Sequence, residues 1–137
     1  MRLLILFLLC SVASPLPTLG DDWPQWMGPK RDGVYREDGI VQKFPQDGLR
    51  VKWRIPIDWG YAGPAVADGK VYVMDYECRE GTSTNNPGGR DQLKGTERIK
   101  CFDATNGSLI WQHEYDRPYH LCFAGGPRCT PTVDGDR

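Results

Sequence analysis

The stretch from Ile99 to Trp111 constrains this chain more than any other. It reads as two strands joined by a tight turn. Ile99–Asp103 and Ser108–Trp111 mix apolar and β-branched residues, and Ala104-Thr105-Asn106-Gly107 lies between them. Asn-Gly supplies the positive φ angles that a tight hairpin needs, so the dipeptide predicts a hairpin with a mechanism behind it. With Asp103 opposite Ser108, Phe102 faces Leu109 and Cys101 faces Ile110. One face then carries Phe102, Leu109 and Trp111. The other carries Ile99, Cys101 and Ile110. A hairpin that is apolar on both faces needs cover on both sides.

The run Cys101-Phe102-Asp103-Ala104-Thr105-Asn106-Gly107-Ser108-Leu109-Ile110-Trp111 resembles the pyrroloquinoline quinone (PQQ) repeat, Ala-Leu-Asp-Ala-x-Thr-Gly-x-x-x-Trp. Asp103, Ala104, Gly107 and Trp111 match in register. Asn106 stands where Thr is usual and Cys101 where Ala is usual. The resemblance implies an all-β fold, a β-propeller in which radially packed four-stranded blades cover each other's two faces.

The N-terminus points to export. Arg2 precedes an almost uninterrupted apolar run, Leu3 to Val12, followed by small residues and prolines. That is the charged, hydrophobic and cleavage-zone order of a secretory signal peptide, and the run is short for a membrane span. Cleavage after Ala13 or after Gly20 fits; Gly20 is preferred, giving a signal over residues 1–20 and a mature chain that starts at Asp21. A buried N-terminal helix is the alternative. Cys10 follows Leu8-Leu9 rather than the small residues of a lipoprotein signal. The expected location is the periplasm or outside the cell. A formal charge of −1 leaves no electrostatic footprint for nucleic acid.

Residues 21–48 read as an extended arm. Pro24, Gly28, Pro29 and Asp32-Gly33 exclude a long helix or a central strand. Trp23 and Trp26 are expected to pack their indoles onto a larger body; a sugar- or peptide-binding aromatic patch is the alternative. This opening is similar to the Trp-Pro-x-Trp-x-Gly-Pro start of exported, planctomycete-like bacterial proteins built from PQQ repeats.

Residues 49–137 are expected to begin the propeller, with the first full blade over about 59–116 and the next begun at about 126–137. From Val51, the segment Leu49–Ile57 alternates strictly, with Val51, Trp53, Ile55 and Ile57 on one side and Lys52 and Arg54 on the other. It predicts a half-buried strand, with Trp53 in the place that Trp111 holds later. Tyr61–Met74 predicts a short strand, a turn at Asp68-Gly69 and a β-branched strand from Val71. Glu77–Glu97 is polar and without apolar periodicity, and is expected to be one long loop. Pro131 and Val133 each follow Pro64 and Val66 by the same 67 positions, and a fixed offset is the signature of a repeat. The expectation is one full blade with parts of two others, the front of a longer protein whose remaining blades are its first partner. The partial ring is expected to expose strand edges and apolar faces.

Chemistry is thinly marked. Asp103 is the obvious carboxylate, but before such a turn its expected role is to accept backbone N–H bonds. Cys78, Cys101, Cys122 and Cys129 follow the signal in an oxidising compartment. A Cys122–Cys129 bridge would close the loop between them, and Cys101 reads as a small buried hydrophobe. His120, Cys122 and Cys129 fit no zinc-ligand spacing. By resemblance, the chain is a binding or scaffold propeller, after the model of outer-membrane assembly scaffolds with cell-envelope protein partners. The alternative by the same resemblance is a PQQ-dependent alcohol or sugar dehydrogenase using PQQ and Ca²⁺. The adjacent cysteine pair that caps the quinone in many such enzymes is absent, and no catalytic, cofactor or metal residue can be assigned from the motif.

Overall fold

The computed structural model describes residues 20–137, so the expected signal peptide lies outside the described residues apart from Gly20. The described residues are all-β. Five strands form in chain order: β1 (Ala65–Ala67), β2 (Lys70–Glu80), β3 (Asp91–Asp103), β4 (Leu109–Asp116) and β5 (Tyr119–Leu121). β1 to β4 make an antiparallel meander in the order β1-β2-β3-β4, and β5 pairs with the first residues of β3. No helix among the described residues is long and apolar enough to cross a membrane.

Turn chemistry sets the meander. Asp68 and Gly69 both take positive φ (51° and 69°), which closes Ala67 onto Lys70 in a two-residue hairpin. At the other hairpin Gly107 has φ 77°, the Asp103 N–H donates to the Ser108 carbonyl at 2.9 Å, and Phe102 pairs with Leu109 as expected. One residue further the register differs. Cys101 pairs with Trp111, not Ile110, because a bulge absorbs one residue between them. A one-residue shift flips side chains to the other face. Trp111 therefore joins Cys101 and packs against Tyr72, with ring centroids 6.0 Å apart.

The expected long loop is a second correction. β2 runs on to Glu80 and β3 starts at Asp91, so only residues 81–90 connect them. The polar composition hid two strands whose inward positions are Tyr76, Leu93 and Gly95, all buried. Tyr76 is stacked on Tyr119 at 4.3 Å, a contact supplied by β5 and invisible to local periodicity. A Cβ on Gly95 would lie 2.2 Å from the Glu77 carbonyl and 2.6 Å from Tyr76 Cζ, so glycine alone lets the ring lie flat on β3. A Lys94–Glu80 ion pair at 2.7 Å spans the bulge near the end of the ladder.

A third correction concerns Leu49–Ile57. The segment pairs with no strand among the described residues. Trp53 and Ile55 are half-buried, while Val51 and Ile57 are exposed. Strict alternation describes an extended backbone, but a strand also needs a neighbour to bond to, and Pro56 offers no N–H.

The arm splits between its two tryptophans. Trp23 bridges Val66 by two backbone bonds (2.8 and 3.0 Å), lies beneath Gly28 and contacts Tyr35 at 6.1 Å. Trp26 is 69% exposed, against the expectation that both indoles pack inward. The residue after Trp23, Pro24, accepts the Val133 N–H at 2.8 Å, so the arm touches both valines of the 67-residue echo.

Candidate binding site

Three of the four residues that carry the resemblance, Asp103, Ala104 and Gly107, meet Trp53 at one corner. The Asp103 carboxylate accepts the N–H groups of Thr105 (2.7 Å) and Asn106 (3.1 Å), tying the turn to itself. The Ala104 N–H donates to the Gly69 carbonyl at 2.9 Å, and its own carbonyl accepts the Trp53 indole N–H at 3.0 Å. A Cβ on Gly107 would lie 2.8 Å from Trp53 Cδ2 and 2.9 Å from Ile55 Cδ1. Asp103, Ala104, Gly107 and Trp53 thus form one unit. Trp111 stands apart on β4, 43% exposed.

A buried ion cluster lies on the face of the sheet opposite Tyr72 and Cys101. The register sets Asp75 directly across from Arg98. Arg98 grips Asp75 with two bonds of 2.8 Å each, and Lys100 Nζ adds a third at 2.9 Å. The Asp58 N–H donates to the same carboxylate at 3.0 Å, and Arg98 also pairs with the Asp58 and Glu77 carboxylates. Asp75 has no exposed surface and Arg98 has 8%. Burial works against the Asp75 charge, but Arg98, the Asp58 amide and Lys100 together hold its pKa below the usual carboxylate range. Arg98 is held above its ordinary value, chiefly by Asp75. The cluster fastens residue 58 to the sheet.

That anchor positions the segment behind it. Trp59 takes the Tyr76 N–H on its carbonyl at 2.8 Å, and the Pro127 carbonyl accepts the N–H groups of Tyr61 (2.8 Å) and Ala62 (3.1 Å). Gly126, at φ 119°, lies so close to Trp59 and Gly60 that a Cβ would come within 2.8 Å of their backbone. Between this segment and the two loops opposite is a cleft of about 400 Å³, lined by Asp58, Trp59, Tyr61, Ser83, Asn85 and Gly125, among others. The Asn85 side-chain oxygen accepts the Ala124 N–H at 3.2 Å, joining the loops, and the Ser83 hydroxyl is buried with no partner among the described residues. Beside the cleft, the Arg128 guanidinium lies over the Tyr61 ring at 4.4 Å and the Phe123 ring at 4.8 Å. Two aromatic walls, a hydroxyl, an amide and a carboxylate suit a small polar ligand with an apolar face.

The donor set does not fit a calcium–quinone centre. Among the described residues no three His, Cys, Asp or Glu side chains could hold a metal ion. The carboxylates that do converge, Asp58, Asp75 and Glu77, converge on Arg98 and are ion-paired with it. The four described cysteines, Cys122 and Cys129 among them, are free thiols in this structure, and the Cys129 thiol leans toward the Thr130 carbonyl at 3.6 Å. Cys101 is buried, and burial raises its thiol pKa, which makes it a poor nucleophile.

No family model, curated protein or solved structure matches the chain. Sequence reasoning passed over Asp58, Asp75, Arg98, Lys100, Tyr61 and Arg128. A signal existed for the cluster: Arg98 and Lys100 alternate on β3 and Asp75 ends the β-branched run of β2. Reading it required the β2–β3 register across the connecting loop.

Proposed function

We propose that this chain contributes a blade to an exported PQQ-like β-propeller, and that the propeller acts as a binding scaffold. The position of Trp53 carries the reading. Its indole comes from ahead of the sheet, donates to Ala104 and covers Gly107 in the turn that resembles the repeat. Units of a repeat protein bury their faces on one another, so a contact of this kind between successive units is what such a fold needs. In this reading Trp111 offers its exposed indole to a following sheet as Trp53 serves this one.

Further support comes from the echo. Asp134 and Arg137 exchange two backbone bonds (2.7 and 3.1 Å) at the positions where Ala67 pairs with Lys70. Val66 and Val133 both bond to the Trp23-Pro24 dipeptide. Scaffold is preferred to dehydrogenase because the clustered carboxylates are taken up by Arg98 and Lys100, while the cleft walls are aromatic and polar.

Two measurements test the proposal on the full-length protein. Its experimental structure is expected to show radial blades with the Trp53 contact repeated between them; a two-layer body enclosing both Phe102 and Trp111 would overturn the fold. Loading with PQQ and Ca²⁺ is expected to give no alcohol- or sugar-dependent dye reduction. Sustained reduction would replace the scaffold with a quinoprotein dehydrogenase.

A further inference from the structure

The exposed indole of Trp26 forms a wall of two clefts. One, of about 540 Å³, runs between the arm and the Arg128 loop and is lined by Gln25, Trp26, Met27, Arg31, Arg128 and Thr130, among others. The other, of about 430 Å³, lies against Gly63 and Pro64 and shares Trp26 and Thr130. The larger cleft has no acidic lining residue and two guanidinium groups. Among the described residues neither Arg31 nor Arg128 enters an ion pair.

Both arginines are pre-positioned. Arg31 Nε donates to Gln25 Oε1 at 2.9 Å, and Gln25 Nε2 holds the Pro29 carbonyl at 3.2 Å. Arg128 is fixed by Tyr61, Phe123 and a 2.8 Å bond to the Ala124 carbonyl. Holding a guanidinium in place removes entropy that a ligand would otherwise have to overcome. A second, independent observation points the same way. Thr130 is 7% exposed, and its buried hydroxyl has no hydrogen-bond partner among the described residues. A buried hydroxyl without a partner is costly, and Thr130 is a lining residue of both clefts.

We propose that this cleft binds an acidic saccharide, a sugar ring bearing a carboxylate or sulfate. The C–H face of the ring stacks on Trp26, the oxyanion lies between Arg31 and Arg128, ring hydroxyls pair with Gln25, and a rotation of the Thr130 side chain brings its unpaired hydroxyl to the ligand. A flat apolar face beside forked cationic donors and neutral hydrogen-bonding groups matches that chemistry. The inference rests on the arm and the Arg128 loop, and holds whether or not the sheet belongs to a propeller.

The test is calorimetric titration of the full-length protein with three trisaccharides: trigalacturonate, a sulfated galactotriose and neutral galactotriose. At least one acidic probe is expected to bind saturably and about tenfold tighter than the neutral one, and to weaken as salt rises from about 50 to about 500 mM. Which acidic probe binds separates carboxylate from sulfate. Trp26→Ala, Arg31→Gln and Arg128→Gln are each expected to weaken binding about tenfold, the order expected for one charge-assisted bond or one stacked ring. Arg31 is exposed on the arm and, among the described residues, its side chain bonds only to Gln25, so its variant reports on binding even if the Arg128 loop is perturbed. No saturable binding of either acidic probe, equal binding of the neutral one, or affinity unmoved in the Arg31 variant would each overturn the proposal.

Discussion

β3 and β4 lie side by side in the same sheet, yet their surroundings are opposite. β3 is buried along much of its length, and every residue of β4 is exposed. Both have apolar and aromatic residues. The difference is cover. β3 is flanked by β2 along one edge and by β4 and β5 along the other, and is overlaid by Tyr76, Tyr119 and the Asp58 anchor. Among the described residues, β4 has β3 on one side and no strand on the other. Amino-acid type qualifies a strand for burial, and a neighbour decides it.

The contrast can be broken most strongly at the ion cluster. Asp75→Asn leaves buried Arg98 and half-buried Lys100 facing a neutral amide, with only the exposed Asp58 and Glu77 carboxylates still on Arg98, and should cost about 4 kcal/mol, by the precedent for half of a buried pair removed. Urea unfolding of the full-length protein measures it. The same substitution should alter the acid limb. Asp75 has a lowered folded pKa, so its contribution is present above the unfolded carboxylate value of about 4 and drains away as pH falls below it. In Asp75→Asn that part of the acid destabilisation should vanish. An unchanged acid limb would mean that other carboxylates set it.

Gly95→Ala comes next, at about 2–3 kcal/mol, because its Cβ would meet the Glu77 backbone and the Tyr76 ring, and backbone cannot step aside cheaply. Thermal melts that stay within a degree of the parent would show that the ring can lift off β3. Trp53→Phe keeps most of the packing on Gly107 but deletes the bond to Ala104, and should cost about 1 kcal/mol. Leu109→Ala on β4 should change stability by no more than about 0.5 kcal/mol, since the side chain is already half in water. A large loss there in the full-length protein would reveal a neighbour that covers β4.

The Ile99–Trp111 hairpin was legible because much of its turn is local: Gly107 takes the expected positive φ, though Asn106 does not, and Asp103 accepts the N–H groups of Thr105 and Asn106. Even there Ile110 was misplaced, since a bulge leaves no compositional trace and exchanges the faces of Trp111. The polar run from Glu77 to Glu97 was misread for the complementary reason. Its strands are held by Tyr119 and Leu121, residues far along the chain, so periodicity within the run could not reveal them.

What the residues determined alone was the all-β character, the places where the chain turns back and the apolar content of the strands joined there. These depend on φ preference and side-chain chemistry, which act over a few residues. Tertiary structure alone decided that Asp75 meets Arg98, that Trp23 anchors while Trp26 stays in solvent, and that Arg31 and Arg128 share one cleft. Those outcomes turn on register and on segments about 20 to 100 residues apart coming within a few ångströms, and a distance across the fold is not written in either segment separately.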